Sequence, residues 1–254
     1  LSKIGAVWVP ALPPGVAKKA GLRIDFVVLG PLTGPSIIDY AILGSSSMLT
    51  GPNVIRMNER WLDPKSAPNI GEASGLQSED DPALIFPSSG TTGIPKPTCF
   101  SLSILRSRME DMLPIVGRPE GRILMLPPPD SYFGFAVSFL ALLSGSQIVW
   151  ARGADHDLAL FLDGQIDEVV AAPAFLATLV EQLKAKRQRL QSVKKIRMGG
   201  SIASASLIKA LQKYVSPNIL SVYGSTELGI VAAANVDDIK SIPRAVGKIA
   251  PGIE

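Results

Sequence analysis

One cysteine and one histidine, Cys99 and His156, stand in 254 residues. That scarcity excludes an intrachain disulfide framework and any His/Cys metal cluster built within one chain, and it points to an intracellular, cytoplasmic setting. Charge of one sign is equally scarce: 25 Lys+Arg against 22 Asp+Glu leave a net charge of +3. A calculated pI near 9.0 therefore reflects a small imbalance rather than a basic face, and nucleic acid is not an implied partner. Uncharged apolar runs never reach the roughly eighteen residues of a membrane span, and Leu1-Ser2-Lys3-Ile4-Gly5 lacks the order of a signal peptide. No fixed-period repeat or low-complexity tract is visible. An initiator Met is missing too, and the chain stops at Gly252-Ile253-Glu254 without a closing element, so a fragment is expected.

What is present is a core-forming chain, 46% hydrophobic with a mean hydropathy of +0.28. Short apolar runs bounded by Gly, Pro and Asp alternate with stretches of helical period, which predicts an α/β fold with a largely parallel sheet and helices packed on it. Strands are expected at Ala6–Val9, Phe26–Leu29, Ala83–Phe86, Arg122–Leu126, Gln147–Trp150, Glu168–Ala172, Lys195–Met198 and Asn218–Val222. Helices are expected at Ser101–Ile115, Phe135–Leu143, Ala174–Lys186 and Ala203–Tyr214. Lys184, Lys186, Arg187 and Arg189 read as solvated charges at a helix end. The Pro-, Ser- and acid-rich stretch 53–81 reads as an irregular connection, a candidate boundary between two lobes.

Directly after Ala83-Leu84-Ile85-Phe86 comes Pro87-Ser88-Ser89-Gly90-Thr91-Thr92-Gly93-Ile94-Pro95-Lys96. Gly90 and Gly93 let main-chain N–H groups approach phosphate oxygens, the hydroxyls of Ser88, Ser89, Thr91 and Thr92 donate further bonds, and Lys96 adds a compact cation. Together these suit a polyphosphate. A P-loop NTPase needs its lysine directly after a glycine, followed by a hydroxyl, at a helix start. Here Pro95 and Pro97 flank Lys96, and proline disfavours the α conformation of its predecessor, so a helix does not begin on the lysine.

Near the other end, Ser221-Val222-Tyr223-Gly224-Ser225-Thr226-Glu227-Leu228-Gly229 runs from an apolar strand into a polar turn. The first motif resembles the Ser-Gly-Thr-Thr-Gly-x-Pro-Lys signature of the AMP-forming acyl- and aryl-CoA synthetases, luciferases and nonribosomal adenylation domains. The second resembles that superfamily's Tyr-Gly-x-Thr-Glu. Resemblance extends over nearly the whole chain, from Gly5-Ala6-Val7-Trp8-Val9-Pro10 to Val246-Gly247-Lys248 and Pro251-Gly252. It departs at Pro97, normally glycine, and at Leu102, where a nearby histidine is common; both bear on how freely the loop closes.

The resemblance implies that the loop and Lys96 hold the β- and γ-phosphates of ATP, that Thr226 contacts the α-phosphate, that Glu227 with Thr91 holds Mg²⁺, and that Tyr223, Gly224 and Ser225 lie near the adenine. One hard carboxylate suffices for Mg²⁺ when water and phosphate oxygens complete its shell; a plain turn carboxylate is the alternative for Glu227. Gly199-Gly200-Ser201 resembles the segment that approaches the adenine through its main chain, and equally reads as a tight strand-to-helix turn.

Tyr132, Phe133 and Phe135 lie where relatives wall the acyl pocket; core aromatics at a strand-to-helix junction are the alternative. Adenylation domains for amino acids carry an aspartate at the position of Tyr132, which disfavours an α-amino acid, although Asp130 stands two residues away. The implied activity is ATP-dependent conversion of a carboxylic acid to acyl-AMP, then transfer to the thiol of CoA or a carrier protein. A Thr-Gly-Asp motif, a hinge and a lysine-bearing C-terminal domain do not occur in the sequence, so weak turnover is expected of this chain alone. A non-catalytic nucleotide-binding or interaction module that keeps the two motifs is the other reading.

Overall fold

The computed structural model describes residues 27–29, 54–56, 78–88, 96–129, 131–150, 166–242, 245–251 and 253. The expected strand Ala6–Val9 and most of the connection 53–81 lie outside them. The chain divides into two compact units, Leu1–Leu102 and Ser103–Glu254.

In the first unit β1 (Val27–Leu29) and β2 (Val54–Arg56) pair in parallel, so the connection expected to be irregular contains a short strand. β3 (Pro82–Ser88) and β4 (Lys96–Ser101) form an antiparallel hairpin. Its inner residues Phe86 and Phe100 meet edge to face, with ring centroids 5.8 Å apart. β4 is a strand that the sequence did not announce, because a proline near its start reads as a breaker. The hairpin tolerates Pro97 because it stands opposite Pro87, on a rung where neither residue has an N–H to donate.

The second unit is built on a seven-stranded sheet, ordered β11-β10-β9-β8-β7-β5-β6. Its parallel part comprises β5 (Arg122–Met125), β6 (Gln147–Trp150), β7 (Glu168–Ala171), β8 (Lys195–Met198) and β9 (Ile219–Ser225). β10 (Gly229–Asn235) and β11 (Lys248–Ile249) extend it antiparallel. Between them lie α1 (Leu102–Val116), α2 (Tyr132–Leu143), α3 (Pro173–Ala185), α4 (Ala205–Tyr214) and α5 (Val236–Ser241). Expected and observed elements in this unit agree closely. Two differences concern the site. β9 continues through Tyr223, Gly224 and Ser225, because β10 pairs with them, and α2 starts at Tyr132, because Ser131 caps it by accepting from Gly134 N–H at 3.1 Å.

Alternation along the strands sorts the sheet into two covered faces. Leu124, Val169, Ala171, Ile196 and Met198 meet Leu176, Leu179 and Leu183 of α3 and Ile208 and Leu211 of α4. Ile123, Met125 and Val170 meet Val137 and Ala141 of α2 on the other face. Among the apolar residues of β8, Arg197 is a charge buried to 1% exposure, ion-paired with Glu168 of β7. Its two terminal nitrogens donate to Val116 O and, at 3.2 Å, to Gly117 O, while Lys195 Nζ reaches Val116 O at 2.8 Å. Gly117 has φ +68° and donates to Leu113 O, so α1 ends on a left-handed glycine with cations on its last carbonyls. Lys184, Lys186, Arg187 and Arg189 are exposed, as the solvated reading expects.

Asp167 precedes β7 and accepts from the Arg122 N–H at 2.9 Å while ion-paired with Lys194 at 2.8 Å. The Lys194 bond, then the Arg122 N–H, holds its carboxyl below the usual carboxylate range. A depressed folded-state pKa contributes stability that is present above the unfolded value, about pH 4, and lost as pH falls through the lower folded value. Asp167→Asn is therefore expected to lower the urea midpoint at about pH 7, with a deficit that shrinks as pH falls below about 4. A deficit independent of pH would assign the effect to packing.

Candidate functional site

The parallel strands β5, β8 and β9 all deliver their following segments to one edge of the sheet, the carboxyl edge, where open α/β sheets bind ligands. β5 runs into 126–131 and the first turn of α2, β8 into Gly199-Gly200-Ser201, and β9 into the Thr226–Leu228 turn. The sequence motifs of this unit therefore converge because of topology.

Gly199 shows how close that convergence is. A Cβ placed on it would come within 2.9 Å of Val222 Cγ2 and 3.3 Å of Phe133 Cζ, so α2 and β9 each bring a side chain up to this glycine. Gly200 has φ +89° and open space where a Cβ would be. Close packing thus calls for glycine at 199 and the left-handed backbone for glycine at 200, and exposed main chain is left at Gly200. Tyr223 is 54% exposed beside them. Ser201 is also exposed.

Beyond β9 the chain reverses through Thr226-Glu227-Leu228, with Ser225 opposite Gly229. Ser225 Oγ accepts from Leu228 N–H at 3.2 Å, so this candidate nucleotide contact also builds the turn. Gly224 lies so close to the returning strand that a Cβ would stand 2.0 Å from Gly229 O. Glu227 is exposed, and Thr226 is half-buried.

Of the three candidate pocket aromatics, Tyr132 is buried, with its hydroxyl 3.5 Å from where a Cβ on Gly229 would be. Phe135 instead stacks on Phe139 along α2, with ring centroids 5.7 Å apart. The sequence reading missed Arg108 of α1. Its Nη1 donates to Thr226 O at 3.0 Å, Nη2 donates to Glu227 O, and its Cζ lies 5.4 Å from the Tyr132 ring centroid. An arginine among polar residues of an amphipathic helix carries no signal of such a role.

In the first unit the hairpin register pairs Ser88 with Lys96, so the two ends of the signature loop meet on one rung. Ser89, Gly90, Thr91, Thr92, Gly93 and Asp130 lie outside the described residues. A strand, not a helix, follows the loop lysine, which separates this device from a P-loop.

As donors, the residues present fit Mg-ATP. Glu227 offers an exposed carboxylate, while the carbonyls of Thr226 and Glu227 are engaged by Arg108, so the side chain is what the turn presents to a cation. Among the described residues no three His, Cys, Asp or Glu side chains gather into a fuller cage. Nor, among them, is any helix long and apolar enough to cross a membrane.

Known proteins are similar to this chain. A nicotinic acid–CoA ligase of Penicillium canescens is 26% identical over 201 residues, covering 74% of this chain and 36% of that protein. A fatty acid–[acyl-carrier-protein] ligase of Mycobacterium marinum is 25% identical over 268 residues, covering 100% of this chain and 43% of that one. The chain thus spans well under half the length of these relatives. In fold it is similar to the amide bond synthetase McbA of Marinactinospora thermotolerans, with a TM-score of 0.73 at 22% identity over 98% of this chain and 51% of that one. The family of AMP-binding enzymes matches residues 47–254, which take in both motifs and the sheet between them. On that match, the chain belongs to the AMP-binding enzyme family.

Proposed function

We propose that this chain is the nucleotide-binding core of an enzyme that activates a carboxylic acid with ATP. The carboxylate oxygen attacks the α-phosphorus, the bond to pyrophosphate breaks, and the acyl-AMP passes its acyl group to the thiol of CoA or of a carrier protein. The observation that carries this reading is the carboxyl edge, where Phe133 and Val222 flank Gly199, Gly200 is exposed, and the Thr226–Glu227 turn follows β9.

In this reading Tyr223 and Gly199-Gly200-Ser201 receive the adenine, with Gly224 and Ser225 shaping the strand end. Thr226 orients the α-phosphate for in-line attack. Lys96 and the hydroxyls of Ser88, Ser89, Thr91 and Thr92 offset the charge gathering on the departing pyrophosphate. Mg²⁺, held by the Glu227 carboxylate, would neutralise phosphate charge. Tyr132, Phe133 and Phe135 bound the acyl side, where an aromatic rather than a carboxylate favours an acid without an α-ammonium.

The test is isotope exchange between pyrophosphate and ATP by the protein that carries this chain, across aryl, short-chain, fatty and amino acids. Exchange is expected only when an acid is present, with at least one acid lacking an α-amino group, and Lys96→Ala should reduce it about a hundredfold. ATP hydrolysis that ignores every acid would contradict the proposal, and exchange confined to amino acids would overturn the acyl reading.

A further inference from the structure

We infer that Arg108 is a positioning residue that sets the attitude of the Thr226–Glu227 turn, and through it the direction of the Glu227 carboxylate. The inference rests on the proposed role of that carboxylate toward Mg²⁺.

Arg108 belongs to α1, and its guanidinium spans the turn's main chain: Nη1 donates to Thr226 O at 3.0 Å and Nη2 to Glu227 O. These carbonyls belong to the two consecutive peptide planes that define how Cα–Cβ of Glu227 points. Holding both planes constrains that vector through the main chain. A planar, always charged fork suits two neighbouring carbonyls, whereas a lysine ammonium at the same reach is a point donor.

The same guanidinium lies over the ring of Tyr132, 5.4 Å from its centroid, and its Cδ lies 3.6 Å from where a Cβ on Gly229 would be. Arg108 therefore has both the turn and the start of α2 against it. At its other end α1 is held by Lys195 and Arg197 on Val116 O. A helix anchored to β8 thus carries the group that anchors the turn beyond β9. An exposed three-residue turn at a hairpin tip is a place where peptide planes otherwise rotate readily.

The experiment compares the wild-type chain with Arg108→Ala and Arg108→Lys by amide hydrogen exchange, thermal melting and Mg²⁺ titration at fixed ATP. Arg108→Ala should speed exchange in residues 226–229 about tenfold, while Glu168–Ala171 and Lys195–Met198 keep their protection. The Mg²⁺ concentration for half-saturation should rise about tenfold, with binding of metal-free ATP changed less than about twofold, and Arg108→Lys should recover part of both effects. Unchanged exchange at the turn, equal acceleration throughout the sheet, or an unaltered Mg²⁺ requirement would overturn the inference. If the wild-type chain binds no Mg-ATP, the nucleotide reading fails and the Mg²⁺ part falls with it. The exchange measurement then decides by itself whether Arg108 holds the turn.

Discussion

Arg197→Ala is expected to destabilise the second unit by about 3–5 kcal/mol, lowering Tm by about 10 °C. The arginine is 1% exposed and paired with an almost equally buried Glu168. Removing it strands a carboxylate in a site closed to water, takes one of two cationic donors from Val116 O, which keeps Lys195, and removes the donor to Gly117 O. Desolvation of the lone carboxylate dominates, because the pair's own attraction is largely offset by the cost of burying both charges.

The sign of a double substitution follows. Replacing the pair together, as Glu168→Leu with Arg197→Met, removes both buried charges and should recover more than half of the loss. Recovery stays incomplete because Val116 O and Gly117 O lose the Arg197 bonds in either variant, a residual of about 1–2 kcal/mol. Urea unfolding of Glu168→Leu, Arg197→Met and the double checks this: a double variant as unstable as Arg197→Met alone would show that the attraction outweighs desolvation.

The second large effect is expected at Glu227. Its carboxylate is what the exposed turn offers a divalent ion, since the neighbouring carbonyls point to Arg108. Glu227→Ala should weaken Mg-ATP binding about a hundredfold and leave Tm within about 1 °C, because an exposed turn side chain contributes little to packing. Glu227→Gln separates charge from shape. It keeps an oxygen but not the anion, and should fall near Glu227→Ala, because a hard cation selects the charged oxygen. Equal binding by wild type and Glu227→Gln would assign the residue a turn-forming part only.

Much of this architecture was legible before any coordinates. The parallel strands β5, β7 and β8 are short apolar runs with glycine, proline or charge at their ends, a signal that survives because both faces of a parallel sheet are covered. β10 was not legible. Its Gly-Ile-Val-Ala-Ala-Ala-Asn has no strand preference of its own, and it is extended because β9 pairs with it across the turn. The phosphate loop and the second motif stood out because small, hydroxylic and charged residues at fixed spacing are rare in combination. Arg108, Glu168 and Arg197 did not stand out. Each is a single charged residue within an ordinary helix or strand, and its role comes from partners up to 119 positions away in Arg108's case. Tyr132 lies between these cases: its place at a strand-to-helix junction is legible, while its packing beneath Arg108 depends on a helix that the sequence leaves unplaced.

The central claim is that the Thr226–Glu227 turn belongs to a Mg-ATP site. The most direct test is an isotherm of ATP binding to the wild-type chain with and without Mg²⁺. The account predicts one saturable site whose affinity rises on adding Mg²⁺, by an increment that Glu227→Ala abolishes. Absence of saturable ATP binding, or binding indifferent to Mg²⁺, would contradict it.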